Sequence, residues 1–129
     1  MKKDFQSWHR EKSGIHEDKI RPFFHEREIW FASLGANIGF EEDGKGREFL
    51  RPILVLRKFN NESLWGIPIT KKIKTGKYYF VFNLEDRGQN NLILSQLRIM
   101  DAKRLKYKIG ILDLKDFNKA KEKLKLLIA

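Results

Sequence analysis

The chain has 129 residues, of which 41 % are apolar and 34 % charged. That balance suits one globular domain and excludes a disordered or collagen-like chain. There is no cysteine, which excludes disulfides, thiolate zinc sites and a thiol nucleophile, and the net charge of +10 favours polyanionic partners.

No apolar run approaches the length of a membrane span. The N-terminus, M-K-K-D-F-Q-S-W-H-R, lacks the apolar core of a secretory signal, so the protein is expected to stay in the cytoplasm. Basicity rises toward the C-terminus, where residues 101–129 carry nine bases and four acids. Nucleic acid, an acidic protein segment or an anionic membrane would each suit such a surface, as would a plain lysine-rich exterior with no polyanion at all.

Residues 4–12 read as a helix, with Phe5 and Trp8 on one face, stopped by Ser13-Gly14. Pro22 marks a further break, and Phe23 and Phe24 beyond it call for burial. Residues 1–26 are therefore expected to form a helical extension packed on the main body. His9, His16 and His25 have no metal-ligand spacing and no carboxylate cluster beside them, so no metal and no cofactor is expected.

The first strand is expected over 28–34, with Ile29, Trp30 and Phe31 typical of sheet. A loop over 35–50 carries four glycines and the acids Glu41, Glu42 and Asp43, but not the pattern of a phosphate-binding loop. Further strands are expected at 52–59, 63–70 and 78–84, separated by an Asn60-Asn61 turn and a basic turn over 71–77. Residues 85–91 read as polar loop, 92–97 as a fifth strand, and 107–112 as a last short strand. Asp101 is placed to cap one helical turn, and Asp113 to cap a final helix. That helix has its apolar face on Phe117, Ala120, Leu124, Leu127 and Ile128. Many short strands with helices at the ends predict a compact, twisted, mainly β (α+β) barrel.

Four motifs then appear in order: E-I-W-F-A-S-L-G-A-N-I-G-F-E at 28–41, R-P-I-L-V-L at 51–56, I-P-I-T at 67–70, and L-I-L-S-Q-L-R-I-M-D-A-K-R-L at 92–105 with K-I-G-I-L after it. Together, over about residues 27–112, they resemble the PemK/MazF toxins of type II toxin–antitoxin systems. The resemblance implies an SH3-like barrel over 27–112 and a C-terminal helix over 113–129, in a single toxin domain spanning 1–129. It also implies a homodimer that cleaves single-stranded mRNA in a sequence-preferring, metal-independent way. The implied partner is an acidic antitoxin, whose complex with the toxin binds promoter DNA. Two features depart from the family pattern: the loop from Glu41 to Arg51 is longer, and the first 26 residues have no counterpart in short members.

Carried over position by position, the resemblance implies catalytic roles for Arg51, Thr70 and Glu41, and matches Gln96 and Arg98 to the family's Q-x-R pair. Metal-free RNA cleavage needs a base for the 2′-OH, charge stabilisation on the phosphorane, and help for the leaving 5′-oxygen. A guanidinium binds phosphate oxygens bidentately and stays charged, so Arg51 is expected to stabilise the phosphorane. Thr70 would donate to a phosphate oxygen. Glu41 is the candidate base, its pKa raised by repulsion from Glu42 and Asp43. Lys71, Lys72, Lys74 and Lys77 form a phosphate-contacting turn, joined in the RNA-binding set by Gln96 and Arg98.

Structural alternatives stand beside each assignment. Arg51 could hold a structural salt bridge, Thr70 is an ordinary strand residue, and the lysines suit a solvated turn. Gln96 and Arg98 could brace the barrel, while Trp30 and Trp65 fit the core. Two other functions use the same architecture: a non-catalytic toxin that binds DNA gyrase, as CcdB-type toxins do, and a nuclease-dead barrel that only binds nucleic acid.

Overall fold

The computed structural model describes residues 21–34 and 50–129. Seven strands form one curled antiparallel half-barrel: β1 (Glu28–Ser33), β2 (Leu50–Lys58), β3 (Ser63–Thr70), β4 (Tyr79–Leu84), β5 (Gly88–Ile93), β6 (Arg98–Asp101) and β7 (Leu105–Ile111). One helix, α1 (Leu114–Ile128), follows. The strand order is β4-β5-β3-β2-β1-β7, with β6 pairing on β3 beside this path. The expected small twisted β fold with a C-terminal helix is therefore present. The helix expected at 4–12 and the loop expected at 35–49 lie outside the described residues.

The sheet is buried on both faces at its centre. In β2, Leu54 and Leu56 point into one core and Ile53 and Val55 into the other. This explains the unbroken apolar run of that strand, since alternation appears only where one face meets water. The larger core adds Ile29, Ile67, Ile69, Phe82 and Leu92, and is covered by Phe117, Ala120 and Leu124 of α1. The smaller core joins Trp30, Ala32, Leu64, Met100, Ala102 and Leu105 to Phe24, which is fully buried. Phe23 is 80 % exposed, so only one of the two phenylalanines expected to need burial finds it.

β3 is shared by two partners on one side. Its end at Ile69 and Thr70 pairs with Leu92 and Asn91 of β5, and its start from Ser63 to Gly66 pairs with β6. A 3-10 turn at Leu94–Gln96 breaks the run between them. The strand expected at 92–97 thus lies earlier, at Gly88–Ile93, and takes in most of the expected polar loop. Asn and Gln are poor strand formers on their own. Here they are held between β3 and β4 by a ladder that local propensity does not reveal.

Both caps are as expected. Asp101 accepts the amide of Lys103, and Asp113 accepts those of Lys115 and Asp116. The helix's apolar face is narrower than expected: Leu127 packs partly buried on the larger core, but Ile128 at the end of α1 is 75 % exposed. Trp65 is also 37 % exposed, packing edge-on against Phe59 at 5.1 Å rather than entering the core. Opposite ends of the sheet come together at Gly110, where a Cβ would stand 3.2 Å from Leu84 Cδ1. Residues 83–87, 109–111 and Asp113 bound a cleft of about 780 Å³ at that seam.

Candidate functional site: one row across four strands

Arg51 lies in β2 opposite Ala32 of β1. Thr70 ends β3 opposite Asn91 of β5. The β2–β3 register pairs Ile53 with Pro68, and continuing it by two residues sets Arg51 opposite Thr70. Directly opposed residues on antiparallel strands share a face, with Cβ atoms roughly 4.5–5.5 Å apart. With the register so continued, Ala32, Arg51, Thr70 and Asn91 line up as one row across β1, β2, β3 and β5, on the face that also carries Ile53 and Val55 of the smaller core. Arg51 and Thr70 are half-buried, which leaves side chains held by the sheet yet reachable from solvent.

The basic turn springs from this row. Lys71, Lys72, Lys74 and Lys77 are all exposed and follow directly on Thr70. Thr70 Oγ1 accepts the backbone N–H of Lys72 at 3.2 Å, so its hydroxyl hydrogen is still available to donate. The Lys71 ammonium donates to the carbonyl of Arg87 in the β4–β5 turn. The ammonium of Lys74 stands 5.9 Å from the Tyr79 ring centroid and that of Lys77 stands 5.3 Å from the Tyr78 ring, cation–π distances that orient both.

Two amides that sequence reasoning missed secure the neighbouring turns, Asn91 the lysine turn and Asn90 the β4–β5 turn. Asn91 is fully buried, and its Nδ2 donates to the carbonyls of Lys72 (3.3 Å) and Lys74 (2.9 Å). Its neighbour Asn90 donates to the carbonyls of Arg87 and Gly88. Nothing in the string G-Q-N-N-L-I marked these residues apart from a loop; their role depends on pairing with strands far away in the chain.

Gln96 and Arg98 are exposed. Arg98 pairs with Gly66, on the same face as Thr70 and four residues back along β3, roughly 13 Å at strand rise. The β2–β3 register, continued two residues past Ile53–Pro68, thus faces Arg51 with Thr70; the four lysines follow Thr70 in the chain, and Arg98 stands farther along the same face. Glu41, the candidate base, lies outside the described residues, as do Glu42 and Asp43.

A second polar centre lies at the start of β1. Glu28 is buried, and its carboxylate accepts Trp30 Nε1 and the backbone N–H of His25, both at 2.9 Å. It also faces His25 Nδ1 at 3.2 Å and the Lys108 ammonium at 3.4 Å. Burial pushes its pKa up, but the bonds from Trp30 and His25, with the charge of Lys108, outweigh this and hold it below the usual glutamate value. His25 is thereby a packing partner of Glu28. Asp101 is similar: burial raises its pKa, and the Arg21 guanidinium at 3.1 Å together with the Lys103 amide brings it below the ordinary range.

Residues 25–128 match the family model described as PemK-like, MazF-like toxin of type II toxin–antitoxin system. The chain belongs to this family. Solved structures of toxins share the fold at low identity. An endoribonuclease in complex with its cognate antitoxin, from a mycobacterial species, is 12 % identical with a TM-score of 0.64, over 82 % of this chain and 95 % of that one. MazF of Deinococcus radiodurans is 14 % identical with a TM-score of 0.62, over 84 % of this chain and 97 % of its own. The Mycobacterium tuberculosis toxin MazF-mt6 is 15 % identical with a TM-score of 0.61, over 79 % and 96 %. No curated protein sequence matches this toxin significantly. No helix among the described residues of the toxin is long and apolar enough to cross a membrane.

Proposed function

We propose that this toxin is an endoribonuclease that cuts single-stranded RNA without a metal ion. The reaction is attack of a ribose 2′-OH on the adjacent phosphorus, forming the 2′–O–P bond and breaking the bond to the 5′-oxygen. The products are a 2′,3′-cyclic phosphate and a 5′-OH. The observation that supports this reading is the β2–β3 register, which when continued past Ile53–Pro68 sets Arg51 opposite Thr70 at the root of a four-lysine turn, in a chain of the PemK/MazF family.

In this reading Arg51 binds the non-bridging oxygens and offsets the charge that grows on the phosphorane. The Thr70 hydroxyl donates to one of the same oxygens. The lysine turn and Arg98 hold flanking phosphates along the face, and Gln96 lies beside that path. Glu41 takes the 2′-OH proton, and the departing 5′-oxygen takes a proton from solvent water to leave as the 5′-OH. Residues 1–129 act as a single toxin domain, in a homodimer held inactive by an acidic antitoxin that occludes the basic face. Two solved neighbours support the antitoxin as partner, since each is a toxin of this fold described in complex with its antitoxin.

The test is to incubate the purified toxin with a defined single-stranded RNA pool in excess EDTA and map the new ends. Cleavage is expected to persist in EDTA and to leave 5′-OH termini. Arg51→Ala is expected to lower the rate by about 10²–10³, the usual cost of removing one charge-stabilising group. Intact RNA with the wild-type toxin, or equal cleavage by Arg51→Ala, would sink the proposal. Replication arrest with RNA intact would point instead to a gyrase-binding toxin.

A further inference from the structure

Asn91 occupies an unusual position for a polar residue. It is fully buried, it stands next to Thr70 in the row, and it lies beneath a turn that is otherwise exposed throughout. Its amide orientation is fixed, because the reverse orientation would set its oxygen against the carbonyl oxygens of Lys72 and Lys74. Its Oδ1, by contrast, has no protein partner, and it is the buried side-chain atom so placed among the described residues. Core stability by itself would favour an apolar side chain of this size over a half-satisfied amide. What the amide supplies is the pair of bonds to the turn.

The consequence for the turn is specific. The N–H of Lys72 is tied to Thr70 Oγ1, and the carbonyls of Lys72 and Lys74 are tied to Asn91. Lys72 and Lys74 thus take their backbone positions from two members of the same row, Thr70 and Asn91. Exposed lysines on an untethered turn lose much rotational freedom on meeting a phosphate, whereas lysines on a fixed backbone lose less.

We propose that Asn91 is a positioning residue, whose buried carboxamide sets the Lys72 and Lys74 ammoniums for RNA phosphates beside Arg51 and Thr70. This rests on the proposed RNA-cleaving function, and it adds a determinant of substrate binding within that site. Asn91 touches no substrate itself. Its effect therefore falls on affinity and on salt dependence, and passes through the two lysines.

The experiment measures binding of the full-length toxin to a fluorescent 2′-O-methyl RNA, which cannot be cut, across a salt series. Asn91→Leu is compared with wild type, with K72A/K74A, and with the combination of all three changes. In the wild-type background Asn91→Leu is expected to weaken binding about 5–10-fold and to reduce the log–log salt slope by roughly 0.7–1.4, the loss of one or two phosphate contacts on a single strand. In the K72A/K74A background the same change is expected to shift affinity less than twofold, because the lysines through which it acts are gone. Hydrogen exchange at the Lys72 amide should quicken at least tenfold in Asn91→Leu while β2 amides keep their protection.

An equal effect in both backgrounds would show a general structural defect, and no effect in either would show that the turn needs no clamp; each overturns the inference. If Asn91→Leu fails to fold, Asn91→Ser is read in the same series against the same expectations. Binding by wild type with no response to Asn91 refutes this inference alone. Absence of both binding and cleavage by wild type refutes the RNA-cleaving function and the inference with it.

Discussion

Replacing Glu28 with glutamine tests how the start of β1 is held, and the structure gives the size of the effect. Oε1 receives two hydrogen bonds of 2.9 Å, from His25 N–H and Trp30 Nε1, and Oε2 faces the Lys108 ammonium. Glutamine keeps a neutral acceptor for the first pair but turns an amide N–H₂ toward Lys108. Hydrogen bonds to a charged group contribute about 1.5–3 kcal/mol and neutral ones about 0.5–1.5, so two bonds weakened together should cost about 2 kcal/mol at pH 7. Unfolding entropy scales at about 2.1 cal/mol/K per residue, so for a chain of this length each kcal/mol moves Tm by roughly 4 °C, and a drop of about 7 °C is expected. The pH dependence follows from the depressed pKa. Folded Glu28 binds its proton less readily than the unfolded chain does, so its contribution is complete above the ordinary glutamate pKa of about 4.3 and is lost as pH falls through the lower folded value. Urea unfolding followed by tryptophan fluorescence should therefore show wild type and Glu28→Gln separated at pH 7 and converging toward pH 3. A gap that stays constant over that range, or no gap at pH 7, would refute the reasoning.

Two further substitutions separate folding from function. Phe24→Ala empties a fully buried site in the smaller core that also holds Trp30, Ile53 and Leu64, so stability should fall by about 3–5 kcal/mol, read by the same urea titration; a loss below about 1 kcal/mol would mean that residues 21–27 are not part of the fold. Thr70→Val removes both the donor offered to phosphate and the acceptor for the Lys72 amide. Its cleavage rate should drop about 10²-fold with a stability loss of only about 1 kcal/mol, and a rate within twofold of wild type would remove Thr70 from the site.

Much of this protein was legible in the sequence because the decisive signals are local. The strand at Ser63–Thr70 has the expected bounds, since its apolar residues and the flanking Asn and Lys turns define it without outside help. Asp101 and Asp113 cap as expected, because a cap acts on amides two or three residues away. The family motifs likewise lie within short stretches, and the family they pointed to is the one the chain belongs to. Signals from distant strands were not legible. The Gly88–Ile93 strand is polar by composition and becomes a strand only by pairing with Ile69 and Thr70 on one side and with β4 on the other. Phe23 and Phe24, or Trp30 and Trp65, look alike in the sequence. One of each pair is buried and the other exposed because burial depends on where the sheet curls and ends.

The sequence by itself determined the elements, the caps, the basic turn and the residues worth asking about. Only the tertiary structure decided which of those residues meet. Arg51 and Thr70 are nineteen positions apart, and it is the antiparallel register of β2 and β3, continued two residues past Ile53–Pro68, that sets them opposite one another. A one-residue slip would send either side chain to the other face of the sheet. The same register brings Asn91 beside Thr70 and beneath the lysine turn, a juxtaposition that depends on non-local pairing and so leaves no mark in any short stretch of sequence.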